Sequence, residues 1–194
     1  MRYSEKIYQS LFIEINTADN YKMDEQHKHI LKILSKLHDK DTAIRASVAK
    51  DVKELDANGE ETLLSFLQSS NGEQKCDAAF ALCLLDADKY IPAIINLLYD
   101  PLEYVRWDIA GLLHDFGDDR AVEPLITVVL NDSDSEVRHN ACYALLAIGD
   151  SRALPALRYA VENDSGVDYE GRPVSKIAAE TIISIQKRSG NEEL

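Results

Sequence analysis

The sequence predicts an all-α solenoid: one domain over residues 1–194, with about five stacked helix pairs behind an N-terminal helical cap. Three observations predict it. A 32-residue register repeats along the second half of the chain. Within each register, apolar residues recur three and four apart, the period of a helix with one buried face. Pro and Gly fall at regular intervals, as punctuation between helices rather than as loops of their own.

The register is ungapped where it is clearest. Sliding KYIPAIINLLYDPLEYVRWDIAGLLHDFGD onto RAVEPLITVVLNDSDSEVRHNACYALLAIGD by 32 residues matches Pro92 with Pro124 and Leu98 with Leu130. Asp100 then meets Asp132, Val105 meets Val137, Arg106 meets Arg138, and Leu113 meets Leu145. Gly117-Asp118 falls on Gly149-Asp150. Upstream, Ala78, Leu84 and Asp86 precede Ala110, Phe116 and Asp118 by the same step. Downstream, Arg152, Leu154, Leu157 and Val161 follow Arg120, Val122, Leu125 and Val129. The last helix fits at an offset of 37, Val174 on Val137, so this unit carries a five-residue insertion. Such a period identifies stacked supersecondary units that cannot bury their faces alone.

Taken in order, the pattern predicts helices near 4–16, 24–38, 42–56, 60–69, 73–85, 89–99, 102–116, 120–130, 134–148, 152–162 and 173–187. Residues 1–38 lie outside the register and are expected to cap the stack, 39–188 to form the repeats, and 189–194 to fray. In each unit a short first helix carries Pro, expected in the first turn where no backbone N–H bond is lost. A polar turn such as Asn131-Asp132-Ser133-Asp134 follows, its Asp or Ser capping the second helix. Val137, Ala141, Leu145 and Ile148 form that helix's apolar stripe, and Gly149 is expected to end it as a left-handed cap.

With Asp-x5-Arg across the turn, small residues and Leu in the second helix, and Gly-Asp closing it, the pattern resembles HEAT repeats, specifically the short HEAT-like units of phycobilisome lyases. It reads as Asp100 with Arg106 and Asp132 with Arg138, with an earlier copy at Asp39 and Arg45, and covers roughly residues 39–188. The resemblance implies a right-handed α-solenoid of stacked HEAT-like helix pairs. It also implies that these Asp and Arg residues form a structural ladder between neighbouring turns rather than a reactive pair. Arg suits that role because its planar fork bonds several acceptors at once.

Charge narrows the partner class. Residues 1–56 balance ten Lys/Arg against ten Asp/Glu, whereas 57–194 hold eleven against twenty-four, so the whole net charge of −13 lies there. That surface repels nucleic-acid phosphates and anionic membranes and favours a protein partner with a basic surface. Cys76, Cys83 and Cys142 form no CxxC pair and, being three, no complete disulfide framework. The opening MRYSEKIYQSLFIEI lacks the features of a signal peptide, and no apolar run reaches the length of a membrane span. A cytoplasmic protein is expected. Oligomeric state is not encoded in any of these features.

Chemistry is sparse. None of His27, His29, His38, His114 and His139 is followed by Glu, and none lies in HExxH. Deoxyhypusine hydroxylases resemble this repeat pattern but hold iron through His-Glu pairs, which argues against that activity here. Ser133 and Ser135 near His139 read as turn and cap residues, and no phosphate-binding Gly loop or nucleophile elbow occurs. HEAT-like DNA glycosylases use a basic groove with aromatic and carboxylate residues. Trp107 and Asp108 mimic that pair, but on an acidic chain. No catalytic residue, metal ligand or cofactor is assigned.

The expected binding face is the solvent side of the second helices. By register Lys75, Trp107, His139 and Lys176 are equivalent, as are Ala79, Gly111, Tyr143 and Glu180, with Asp108 and Asn140 between them, Asp77 one helical step away in the preceding unit, and Asp115 one turn beyond Gly111. The polar equivalents of Trp107 argue that its position faces solvent, where a lone Trp is a candidate interface anchor. The insertion at 165–174 adds Tyr169 and Arg172, residue types that interfaces favour. Two function classes follow. One is a non-catalytic protein-binding solenoid, either an adaptor or an immunity protein that neutralises a basic toxin such as a nuclease. The other, carried by the resemblance, is a phycobilin lyase subunit or related tetrapyrrole-handling protein.

Overall fold

The computed structural model describes residues 25–190. The expected helix at 4–16 and the residues 191–194 of the expected frayed tail lie outside it. The described residues fall into two compact units that meet between Thr62 and Leu63, within one helix.

In the first unit α1 (Glu25–Ser35) and α2 (Thr42–Lys53) bury Ile30, Ile33 and Leu34 with Val48 and Val52. A short 3-10 turn, Lys36–His38, follows α1. Asp41 caps α2 by accepting the Ala43 N–H, and Lys36 reaches Asp51 at 2.6 Å. Helix α3 (Ala57–Phe66) crosses the unit boundary.

The second unit is the regular stack. Its helices are α4 (Gly72–Ile95), α5 (Glu103–Phe116), α6 (Asp119–Asn131), α7 (Ser135–Ile148), α8 (Leu154–Asn163) and α9 (Val174–Arg188). Two expected helices, 73–85 and 89–99, run together as α4, parted only by the extended backbone of Asp86 (φ −163°, ψ 91°), and a 3-10 turn takes 96–99. The second helices form one layer, in which α5 packs along α7 and α7 along α9. The end of α4, α6 and α8 form the other. Between the layers lie Ile91, Ile94, Leu98, Ile109, Leu113, Leu125, Leu145 and Leu157, all fully buried. Each such side chain contributes roughly 1.5–3 kcal/mol of burial free energy. Val105 and Val137 are equally buried, as the register requires. The fold is therefore an all-α solenoid, and among the described residues only one isolated bridge, Val167 with Pro173, is β-like.

Two local expectations are corrected. Gly149 does not adopt a left-handed conformation. It and Gly117 are extended (φ −67° and −69°). Glycine is needed there for close approach. A Cβ on Gly149 would strike the Leu145 carbonyl and come within 3.1 Å of Ile185 in the next unit. On Gly117 it would strike the Leu113 carbonyl and come within 2.9 Å of Ile148. The left-handed cap occurs instead at Gly190 (φ +68°), after α9. Pro124, expected in the first turn, is the sixth residue of α6, because the helix starts at Asp119 under the Asp118 cap. Its missing N–H lies where Arg120 would otherwise find a backbone donor. Asp134 does cap α7, accepting the Val137 N–H at 3.1 Å.

Candidate interaction surface

The Asp and Arg residues of the register build a ladder that links units rather than closing on itself. Arg106 gives Nη1–H to the carbonyl of Asp100 in its own turn (3.0 Å), but its Nε and Nη2 fork onto both oxygens of Asp132 in the next unit (2.7 and 2.9 Å). Arg138 repeats this, donating to the Asp132 carbonyl (2.9 Å) and forking onto Asp164 (2.6 and 2.9 Å). Each carboxylate also accepts a backbone N–H two residues on, Leu102 for Asp100, Asp134 for Asp132 and Gly166 for Asp164. The Arg138 fork holds Asp164 below the usual carboxylate range against the effect of burial. In the first unit Arg45 donates to the Asp39 carbonyl in the same manner.

Two members were missed in the sequence. Asp164 ends the ladder because the following unit carries the insertion. Lys75, at the Trp107-equivalent position, supplies the rung to Asp100 where Gln74 stands in place of Arg. A second set of ion pairs runs along the Gly-Asp turns. Arg120 bonds Asp118 and reaches Asp88 of the preceding unit, and Arg152 bonds Asp150 and reaches Asp119. The recurrence of Asp-x-Arg at 118–120 and 150–152 was the available signal.

The register equivalents of Trp107 do not all face solvent, contrary to expectation. Lys75 is only 12% exposed and ion-paired, and His139 is buried, so two of the three equivalents do not face solvent. Polar side chains at this position find carboxylates between units instead of water. Trp107 itself is half-buried, and Lys176 is exposed. The neighbouring stripe is open. Asp108, Asp115, Tyr143 and Glu180 are exposed, and Gly111 leaves a notch in which a Cβ would meet only Asn140 Oδ1, at 3.7 Å. Beside it the His114 ring stacks on Tyr143 (centroids 3.9 Å, planes 3° apart), and His114 Nδ1 lies 2.8 Å from Asp115. Asn140 is turned back along its own helix, donating to the Glu136 carbonyl and Oε1. The structure thus gathers Asp108, Gly111, Asp115, Asn140 and Tyr143 across α5 and α7, and removes His139 from that surface.

The 165–174 insertion is a tightly folded loop around one carboxylate. Asp168, fully buried, accepts the N–H groups of Glu170 and Arg172 on Oδ1 (3.0 and 2.7 Å) and the Arg172 Nε–H on Oδ2 (2.5 Å). Gly171 (φ +79°) makes the turn, where a side chain would be strained. Burial pushes Asp168 up, but the Arg172 N–H and guanidinium outweigh it and hold it low. Ser135 and Glu136 of α7 pin the loop by bonding the Val167 carbonyl (2.6 Å) and the Tyr169 N–H (2.7 Å). Tyr169 projects outward and Arg172 is exposed. Asp168 was not singled out in the sequence, although Asp followed three residues later by Gly-Arg is a turn signal.

The three cysteine thiols are held in their protonated form. Burial pushes the Cys83 and Cys142 thiols to about 12, and burial together with the Asp108 carboxylate it bonds pushes Cys76 up as well. Among the described residues no three His, Cys, Asp or Glu side chains converge as a metal-ligand set, and no helix is long and apolar enough to cross a membrane.

Comparison with known proteins agrees with this architecture. The HEAT repeats family matches residues 91–170. A deoxyhypusine hydroxylase from Schizosaccharomyces pombe is 31% identical over 102 residues, 52% of this chain, and the chain spans about 30% of that relative's length. The complex of CpcE and CpcF of phycocyanin lyase from Nostoc is 19% identical, covering 92% of this chain and 71% of that one, at a TM-score of 0.56. An engineered protein is 25% identical over 84% of this chain and 80% of its own, at a TM-score of 0.48. With its 32-residue register, paired helices and cross-unit ladder, the chain is an all-α solenoid with HEAT repeats over residues 91–170, sharing its fold with the subunits of that phycocyanin lyase.

Proposed function

We propose that this chain is a non-catalytic protein-binding solenoid that takes a partner with a basic surface on the second-helix face. The observation that carries the reading is the stripe on α5 and α7. Asp108 and Asp115, seven residues apart on one helical face, flank the Gly111 notch, and the His114–Tyr143 stack offers a flat apolar wall beside it. A Lys or Arg side chain can lay its methylene stem on such a wall and its head between carboxylates. Glu180 and the exposed Tyr169 extend the same acidic, aromatic character. Placement of the entire −13 beyond residue 56 supports long-range steering of a cationic partner toward this half. The finer role we favour is immunity or inhibition: an acidic solenoid complementary to the basic groove of a toxin such as a nuclease.

A Lys/Arg-rich peptide of ten residues, with a Glu-rich peptide as control, tests the surface by calorimetry at two salt concentrations. Salt-sensitive binding of the basic peptide, weakened by Asp108→Lys and Asp115→Lys together, is expected. Equal affinity of the doubly substituted and the unchanged chain for the basic peptide removes the face from consideration. Tight binding of a bilin, seen as a shifted absorbance band, would instead favour the tetrapyrrole-handling reading.

A further inference from the structure

The inserted loop carries one feature that neither packing nor the second-helix face accounts for: a buried histidine beneath it. His139 lies one turn beyond Ser135 and Glu136, the two residues of α7 that hold the loop down. Its side chain is 9% exposed, and its Nε2 stands 3.6 Å from Asp168 Oδ2, too far for a hydrogen bond. Both oxygens of Asp168 are already occupied by donors from the loop itself.

We propose that the 164–174 loop is a proton-responsive latch, closed over α7 while His139 is neutral and released when His139 takes a proton. The charged groups facing His139 are Asp168 and Arg172 from the loop, Glu136 from its own helix and Glu180 from α9. Three carboxylates favour an imidazolium, whereas burial and the Arg172 guanidinium oppose it. Burial is the largest influence, and together with Arg172 it holds His139 below its ordinary range. Opening the loop carries Asp168 and Arg172 away together and admits water; relief of burial, the largest of these influences, returns the imidazole to an ordinary affinity near pH ~6.5. The open form therefore binds the proton more tightly. Closure is fully favoured above that value and is lost progressively as pH falls toward the lower value of the closed form. The latch has a small structure to release: the Val167–Pro173 bridge, two bonds to α7 and the Val174 N–H bond to the Gly166 carbonyl (3.0 Å). This inference stands whether or not the second-helix face binds a basic partner.

Amide hydrogen exchange on the full chain, read by NMR at pH 7.5 and 5.0 and corrected for intrinsic rates, tests it. The Tyr169 N–H bonds Glu136 of α7 and reports closure directly, while the N–H groups of Gly171 and Arg172 bond the Asp168 carbonyl and Oδ1 and report whether the loop unravels as it opens. Their protection is expected to fall by about threefold to thirtyfold at pH 5.0, one and a half units below the open-form value. Protection of Ala144 and Leu145 in mid-α7 should hold. His139→Gln should abolish the pH dependence. Loop protection that stays within about twofold, or a pH dependence that survives His139→Gln, overturns the proposal, the latter by making a carboxylate the sensor. Direct titration of the His139 ring in the unaltered protein covers the case in which the variant does not fold. A midpoint at or above that of free histidine also overturns the proposal.

Discussion

Replacing Arg138 with Ala removes the last complete rung of the ladder, and the structure allows the cost to be estimated. Four bonds disappear: the two to Asp164 and those to the carbonyls of Asp132 (2.9 Å) and Ser133 (3.2 Å). Asp164 keeps only the Gly166 N–H, in a setting where it is 10% exposed and Arg138 17%. Stranding a carboxylate in a fully buried pair costs about 3–5 kcal/mol, and an exposed pair is worth under about 1. This degree of burial places Arg138→Ala at about 2–4 kcal/mol, or roughly 5–12 °C in midpoint for a chain of this size. Trp107 lies in the same compact unit and is the only tryptophan, so its fluorescence in a urea titration reports on that unit, with far-UV circular dichroism as the second probe. The effect also has a pH signature. Asp164 is held low by Arg138, so the rung contributes fully above the unfolded carboxylate value near ~3.9 and is lost as pH falls through the lower folded value. The gap between the two proteins should be flat from pH 5 to 8 and close below about 4. A loss below about 0.5 kcal/mol, or a gap that widens toward pH 3, would refute the view that cross-unit rungs stabilise the stack.

Three further outcomes are expected. Val137→Asp should cost at least about 3 kcal/mol in the same urea titration, because an unpaired carboxylate replaces a fully buried valine. Gly149→Ala should cost about 1–3 kcal/mol despite an ordinary φ, since its Cβ meets a backbone carbonyl and Ile185; an unchanged denaturation midpoint would show that the units can slide apart freely. Trp107→Ala should leave the helical spectrum intact and weaken the Lys/Arg-rich peptide by about tenfold or more if the half-buried ring anchors the partner, and iodide should quench its emission only in part.

The sequence was most legible where a residue's role repeats. Val105, Val137, Leu113 and Leu145 announce their burial because period and register agree, and Asp132 with Arg138 announces a ladder because the spacing recurs. What recurrence does not specify is which partner each group takes. Arg106 lies six residues after Asp100 but spends its fork on Asp132, 26 residues away, a choice made by stacking. The same limit misplaced His139 and Lys75. A polar residue in a row reads as solvent-facing until a neighbouring unit supplies a carboxylate. Asp168 was opaque for the opposite reason. It occurs once, in an insertion outside the register, and its importance comes from donors that only the folded loop brings together.

The ladder stops at Asp164, and the final pair is fastened differently. Serine 175 stands where the register would place the next arginine, and α9 instead sends side chains onto backbone carbonyls of α7: Thr181 to Cys142 (2.9 Å) and Arg188 to Leu146 (2.5 Å) and Gly149 (2.7 Å). Each of these fastenings joins adjacent members, like couplings in a train. Tension applied along the stack is carried in series, and among the ladder's rungs the single lysine contact between Lys75 and Asp100 is expected to give before the forked arginine rungs beyond it.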